Sequence, residues 1–215
     1  MKQLALSILR KFLKRDVLKL WRLRDFASPA PHEVKISVLK RYGGTNTWIE
    51  TGTYLGDTTN VISEFAAKVI TIEPSPLFSS KAKVRFREIQ NVQVVEGTSE
   101  DNLAAILEDL NLDESTDISF WLDGHFSGGE TFQGEADTPV MSELEVIKQF
   151  SKRMQKFTVL VDDVRCFTSV SSEYVSYPKL LELVSWADEL GLFWSIEHDI
   201  FIASNRLKLT NEAKN

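Results

Sequence analysis

Cysteine is almost absent from this chain of 215 residues, which contains only Cys166. A single cysteine excludes an intrachain disulfide and a cysteine-rich zinc site. The chain also lacks a run of about 18 apolar residues, so we expect no membrane-spanning helix. No secretory signal is evident, since Arg10 and Lys11 interrupt the first apolar stretch. These absences together favour a protein of the reducing cytoplasm.

Basic residues are concentrated at the start of the chain, although the net charge is −6. Residues 1–24 contain eight Lys and Arg residues and one acid, Asp16, so the remainder is strongly acidic. General nucleic-acid binding needs a basic stripe on the domain itself. We therefore predict that the protein has no nucleic-acid partner.

The basic segment has the pattern of an amphipathic helix, predicted over residues 1–26. Its apolar residues keep to one helical stripe: Leu4, Ala5, Ile8, Leu9, Phe12, Leu13, Val17, Leu20 and Trp21. One interpretation is peripheral contact with the anionic inner membrane surface through residues 1–24. The alternative is packing on the domain or on a second subunit, which leaves an oligomer open.

Strand-like and helical segments alternate over residues 32–205, which we interpret as one domain followed by a polar tail at 206–215. The predicted strands are Thr47–Thr51, Val69–Glu73, Val92–Glu96, Ile118–Asp123, Thr158–Asp163, Phe193–Glu197 and Ile200–Ser204. The predicted helices are Glu33–Tyr42, Thr58–Ala67, Leu77–Glu88, Ser99–Leu110, Thr138–Phe150 and Tyr177–Leu190.

The composition of these strands predicts the fold class. The first five are rich in apolar residues without clean alternation, as in a parallel sheet covered on both faces. Only His198 and Asp199 separate the last two strands, which predicts a tight antiparallel pair. We therefore predict an α/β fold with a Rossmann-like doubly wound sheet, mostly parallel, with a terminal antiparallel strand pair.

Acidic residues close all five predicted parallel strands. They are Glu50, Glu73, Glu96, Asp123 and the pair Asp162–Asp163. Ligands bind beyond the carboxyl ends of the strands in an open α/β sheet. We expect these carboxylates to line a ligand site.

The turn after the first strand contains Gly52 and Gly56, which allow a sharp bend and a close approach to a ligand. The helix that follows presents free N–H groups at its start. Glu73, at the end of the second strand, can accept hydrogen bonds from ribose hydroxyls. The dinucleotide fingerprint G-x-G-x-x-G is absent, which counts against a nicotinamide cofactor.

The spacing Glu50-x-Gly52-x-Tyr54-x-Gly56 resembles the first motif of class I S-adenosylmethionine (SAM)-dependent methyltransferases, with Tyr54 in place of the middle glycine. Residues 72–74 are similar to the ribose-binding strand end of that family, and 95–99 to its adenine-binding strand end. The resemblance extends over residues 45–204. It implies a SAM site formed by Glu50, Gly52, Tyr54, Gly56, Thr58, Glu73, Gly97, Thr98, Ser99 and Asp123.

The stretch from Trp121 to Leu144 resembles a bacterial subgroup of sugar and natural-product methyltransferases, some of which use magnesium. The resemblance implies O-methylation of a small hydroxylated, sugar-like or glycan-linked acceptor. A long glycine-rich loop follows Asp123 and includes His125. Such a loop at the ligand edge is a candidate lid.

Two ways of activating the acceptor hydroxyl are open. In the first, which we favour, Asp123 with Asp162 or Asp163 holds Mg²⁺, and the ion lowers the pKa of the bound hydroxyl. Three acids in proximity repel one another unless a cation or a proton intervenes. In the second, His125 acts directly as the general base. Asp123 and His125 are therefore the predicted catalytic residues.

Two other functions are compatible with the sequence. One is a nicotinamide-dependent oxidoreductase, and the other is a non-catalytic cofactor-binding or membrane-scaffold protein. The missing fingerprint counts against the first, and the acids at the strand ends count against the second. We expect structural roles for His32 and His198, and no part in the chemistry for Cys166.

Overall fold

Strands and helices alternate through residues 16–113, 115–124, 138–168 and 177–206, which the computed structural model describes. The strands are β1 (Thr47–Thr51), β2 (Lys68–Glu73), β3 (Val92–Glu96), β4 (Asp117–Leu122), β5 (Lys156–Val161), β6 (Phe193–Glu197) and β7 (Ile200–Ser204). The helices are α1 (His32–Tyr42), α2 (Asp57–Ser63), α3 (Pro76–Arg85), α4 (Ser99–Asp109), α5 (Val140–Phe150), α6 (Val164–Thr168) and α7 (Leu180–Glu189). A 3₁₀ turn at Ser151–Arg153 follows α5.

All of these strands belong to one sheet, in the order β3-β2-β1-β4-β5-β7-β6. The strands β1 to β5 run parallel, whereas β7 is antiparallel to both β5 and β6. The predicted fold class, including its terminal antiparallel pair, is confirmed. The chain leaves β1 toward β2 on one side and returns as β4 on the other, so the topological switch point lies between β1 and β4.

Both faces of the sheet are buried. In β1, Trp48 faces the layer that contains α1, while Ile49 faces the layer that contains α4, α5 and α7. In β4, Trp121 faces the layer that contains α1, and Phe120 faces the opposite layer. All four side chains are at most 1% exposed. Burial on both faces explains why the sequence of these strands is apolar without alternation.

The element boundaries differ from the predicted ones around the ends of β4 and β5. These strands end at Leu122 and Val161, so the acids that follow lie just beyond the sheet. The chain turns away at Asp163, whose φ is 56°, and continues into α6, a short helix that the sequence analysis missed. Helix α5 begins at Val140 rather than at Thr138.

The described part of the N-terminal arm is helical over residues 16–23. Trp21 is buried and attaches this helix to the domain through an edge contact with His198, 5.4 Å between ring centroids. Its indole N–H donates to the carbonyl of Ala27. Leu20 and Leu23 remain exposed. Within the described ranges, no helix is long and apolar enough to cross a bilayer.

Candidate functional site

Gly52, in the turn after β1, lies against the chain that follows β4. It has a φ of +87°, and its N–H donates to the carbonyl of Ile72. A Cβ at this position would lie 2.5 Å from the carbonyl oxygen of Asp123. The predicted close approach of a ligand at Gly52 stays a prediction. The described neighbour that requires glycine here is the backbone of Asp123.

Glu50, on β1, is a fully buried carboxylate. Its Oε2 accepts hydrogen bonds from the hydroxyls of Thr59 and Thr71. Its Oε1 has no hydrogen-bond partner among the residues that the structure describes. Burial raises the pKa of Glu50 to about 7, and repulsion from Asp123 and Glu73 adds to the shift. The predicted place of Glu50 in the cofactor site stays a prediction.

Glu73, at the end of β2, is buried and held by two backbone donors. Oε2 accepts from the N–H of Tyr54 at 2.7 Å, and Oε1 accepts from the N–H of Ser75 at 2.9 Å. Each oxygen retains a second lone pair for a ligand hydroxyl. Tyr54 replaces the glycine of the resembled motif in a left-handed conformation, with φ 48°, and its ring packs on Phe78 at 4.8 Å.

The end of β3 is more exposed than the ends of β1 and β2. Glu96 points outward and pairs with Lys83 at 2.8 Å. Thr98 is the N-cap of α4 and accepts a hydrogen bond from the N–H of Asp101. Ser99 is buried. Thr98 and Ser99, which are predicted to lie beside the adenine, thus follow the predicted strand end, whereas the acid that closes the strand is exposed.

A cavity of about 190 Å³ lies between α1 and the ends of β4 and β5. Its lining includes three predicted residues, Thr58, Asp123 and Asp162. It also includes His32, predicted to be structural, and Lys35, which the sequence analysis did not select.

The helical spacing of α1 explains the position of Lys35. Val38 and Leu39 are buried against the sheet, and Lys35 lies three and four residues earlier on the same face. This spacing directs the Lys35 side chain toward the sheet but does not specify what it meets there.

Lys35 binds the two acids that follow β5. Its ammonium lies 2.5 Å from Oδ2 of Asp162 and 3.2 Å from Oδ1 of Asp163. Burial acts to lower the pKa of Lys35, but these carboxylates outweigh burial and hold the pKa above its ordinary value. Arg165 adds a second cation, pairing with Asp163 at 2.6 Å and with Asp199.

These contacts test the predicted magnesium site. One oxygen of each acid, Oδ2 of Asp162 and Oδ1 of Asp163, already binds the cationic side chains of Lys35 and Arg165. Among the described residues, no group of three or more His, Cys, Asp or Glu side chains is arranged to hold a metal ion. The described residues do not fit magnesium, because a lysine and an arginine neutralise the acids that the prediction assigned to the ion.

Glu143, on α5, is a second buried carboxylate that the sequence analysis did not select. It is 1% exposed, and its Oε1 lacks a partner within the described ranges. Burial raises its pKa to about 7, and a hydrogen bond from Ser99 opposes the shift. Glu143 lies beside Ser99, which follows β3. It also lines a small cavity together with Gly124 and Asp163.

The remaining predictions concern residues that lie away from the buried acids or outside the described ranges. His125 and most of the candidate lid lie within residues 125–137, outside the described residues. Cys166 is buried in α6, and His198 lies in the β6–β7 turn against Trp21.

Comparison with known proteins relates this architecture to solved structures. No protein-family model matches the chain, and no curated protein matches it in sequence. An O-methyltransferase from Bacillus cereus, solved in complex with S-adenosylhomocysteine (SAH), is 15% identical, with a TM-score of 0.52 and coverage of 88% of each chain. TomG from Streptomyces achromogenes is also 15% identical, with a TM-score of 0.50 and coverage of 88% of this chain and 87% of that chain. TomG is an O-methyltransferase involved in tomaymycin synthesis, solved in complex with SAM. The chain therefore has the fold of the class I SAM-dependent methyltransferases.

Proposed function

We propose that the protein is an enzyme, a SAM-dependent methyltransferase that methylates a hydroxyl of a small hydroxylated or sugar-like acceptor. The observation that carries the proposal is the pair of buried acids at the ends of β1 and β2. Glu50 has an oxygen without a described partner, and Glu73 is oriented by two backbone N–H groups. They supply an anion for the ammonium of the cofactor and acceptors for its ribose hydroxyls.

The charge and fixed geometry of these acids match the two polar ends of the cofactor. A buried, unpaired carboxylate is costly, so Glu50 gains when a ligand ammonium neutralises it. Hydrogen bonds from the backbone of Tyr54 and Ser75 already fix the Glu73 side chain. Binding of a ribose diol would therefore cost little further side-chain entropy. The SAH and SAM in the two solved structures of the same fold support this choice of cofactor.

The cavity beside α1 is the proposed acceptor site. When bound, the cofactor supplies a methyl group on a sulfonium sulfur to the acceptor oxygen and leaves as SAH. The residues that face the cavity and can take up the hydroxyl proton are His32, Asp123 and Asp162. His125 is a further candidate for this role. The proposal contains no magnesium step, because Lys35 and Arg165 bind the carboxylates that would hold the ion.

Titration with SAH in a calorimeter, beside a parallel titration with NAD, tests the cofactor. We expect SAH to bind and NAD not to bind. Binding of NAD alone would replace the proposal with a nicotinamide-dependent oxidoreductase. Turnover of methyl-labelled SAM over a panel of hydroxylated and sugar acceptors tests the reaction. SAH binding with no labelled product from any acceptor would favour a non-catalytic cofactor-binding protein.

We further propose that the N-terminal arm contacts an anionic membrane surface. Leu20 and Leu23 are exposed on the helical segment 16–23, whereas Trp21 is buried against the domain. Lys19 and Arg22 lie on the same segment and supply positive charge beside the apolar side chains. An exposed apolar face with flanking basic residues matches an anionic lipid interface.

A further inference from the structure

Lys35 occupies an unusual position among the acids of the candidate site. It comes from α1, ahead of the sheet in the chain, and reaches Asp162 across 127 residues of sequence. Its side chain is 16% exposed, and that of Asp162 is 3% exposed. The ammonium therefore contacts the acid largely away from bulk water.

The third acid, Asp123, belongs to the same charge cluster. It follows β4, which lies beside β5, and it lines the cavity together with Lys35 and Asp162. The electrostatic field of Asp123 acts on both Lys35 and Asp162. The ammonium of Lys35 thus faces carboxylates from the ends of two neighbouring strands. A divalent cation that bridged these strands would have to occupy the same position.

Lys35 can donate one more hydrogen bond beyond those to Asp162 and Asp163. An ammonium has three N–H groups, and the contacts with Asp162 and Asp163 use two of them. Because Lys35 lines the cavity, the third N–H is available to an oxygen bound there. A cation beside the acceptor oxygen stabilises the negative charge that develops when the hydroxyl loses its proton.

We propose that Lys35 is the built-in cation of this site, which takes the place of a divalent metal among Asp123, Asp162 and Asp163 and binds the acceptor oxygen. The inference rests on the proposed methyltransferase function for the identity of that oxygen. The replacement of the metal by Lys35 is a property of the protein alone.

The test uses Mn²⁺ as a probe and the full-length protein after EDTA treatment. Binding is followed by loss of the free Mn²⁺ signal in electron paramagnetic resonance, and stability by the melting temperature. Lys35→Met retains the aliphatic part of the side chain and removes the charge. Lys40→Met, on the exposed side of the same helix, is the matched control. Lys35→Arg retains a cation.

We expect wild type and Lys40→Met to bind Mn²⁺ weakly or not at all and to melt at the same temperature with or without it. Lys35→Met removes the cation from buried Asp162, while Arg165 still pairs with Asp163, so the melting temperature should fall by roughly 10 °C. Mn²⁺ should bind Lys35→Met at least about tenfold more tightly than wild type and restore most of the loss. Lys35→Arg should behave like wild type.

Tight, stabilising Mn²⁺ binding by EDTA-treated wild type would overturn the inference, and this measurement does not require Lys35→Met to fold. If Lys35→Met folds, Mn²⁺ binding by wild type that matches or exceeds binding by the variant would overturn the inference as well. Failure of the proposed function is recognised separately, because a protein that is not a methyltransferase would not bind SAH. Sensitivity of labelled-SAM turnover to EDTA in wild type would likewise contradict a lysine in the place of the metal.

Discussion

Glu73 and Glu96 are register partners at the ends of β2 and β3, yet their surroundings differ. Glu73 is buried, and each of its oxygens accepts a backbone N–H. The Glu96 side chain is 44% exposed and is paired with Lys83. Of these two acids, only Glu73 combines fixed geometry with burial. Glu73 is therefore the proposed ligand-binding residue, and Glu96 on the adjacent strand is its control.

Glu73→Ala should weaken SAH binding by about 1.5–3 kcal/mol, the range for hydrogen bonds to a charged group. Isothermal titration measures the loss. Glu96→Ala should change SAH affinity little, because the Glu96 side chain is exposed and its Oε2 already accepts from Lys83 and Ser79. Equal losses in the two variants would mean that Glu73 has no special part in binding.

A 2′,3′-dideoxy analogue of SAH shows whether Glu73 acts through the ribose. If the carboxylate binds those hydroxyls, the analogue should lose little further affinity in Glu73→Ala, since both changes remove the same contact. Fully additive losses would place Glu73 elsewhere in the site.

Glu50 should make SAH binding depend on pH. An ionised carboxylate binds the ligand ammonium, and burial raises the pKa of Glu50 to about 7. Wild-type affinity should therefore rise with pH, being about tenfold weaker at pH 6 than at pH 8. Glu50→Gln should bind more weakly at pH 8 and lose this dependence. An unchanged pH profile in Glu50→Gln would exclude Glu50 as the titrating group.

Glu143 should make folding stability depend on pH in the opposite sense. Burial raises the pKa of Glu143 from 4.5 to about 7, so its protonated form is favoured by folding. That stabilisation is complete below the unfolded pKa and is lost as pH rises through about 7. Wild type and Glu143→Gln should be equally stable near pH 4, below the unfolded pKa, and the variant should be more stable at pH 8 by about 3 kcal/mol.

Urea denaturation at pH 4 and pH 8 measures this difference. Glu145→Gln, at an exposed position of the same helix, is the control and should follow wild type at both pH values. If the stability gap between Glu143→Gln and wild type does not widen with pH, Glu143 is not the buried group that titrates.

The arm should bind anionic vesicles through its exposed apolar side chains. Replacing Leu20 and Leu23 together by Glu should lower partition onto phosphatidylserine vesicles, because the change removes apolar contact and adds repulsion. Val84→Glu, at an exposed site on α3, should have no effect. Binding of wild type should also weaken as salt rises.

Removal of residues 1–24 provides an independent check of the arm. We expect the truncated protein to retain its SAH affinity and to lose vesicle binding. Full-length protein that ignores anionic vesicles, combined with a change in assembly size on truncation, would instead identify the arm as an oligomerisation element.

The amino-acid sequence by itself determined the elements and the edge of the sheet at which the acids lie. Alternation of apolar strands with helical segments is a local signal, and parallel strands place their carboxyl ends together. The positions of Glu50, Glu73, Asp123 and Asp162 at those ends follow from this rule. The short separation of β6 and β7 likewise predicted their antiparallel pairing.

Only the tertiary structure decided which of these acids are buried and which cation neutralises them. The contact of Lys35 with Asp162 and the burial of Glu143 beside Ser99 join distant parts of the chain. No local periodicity specifies such contacts, because they depend on how helices pack over the strand ends. Because close carboxylates need a cation, the sequence predicted a metal ion at this site. In the structure, the packing of α1 supplies the ammonium of Lys35.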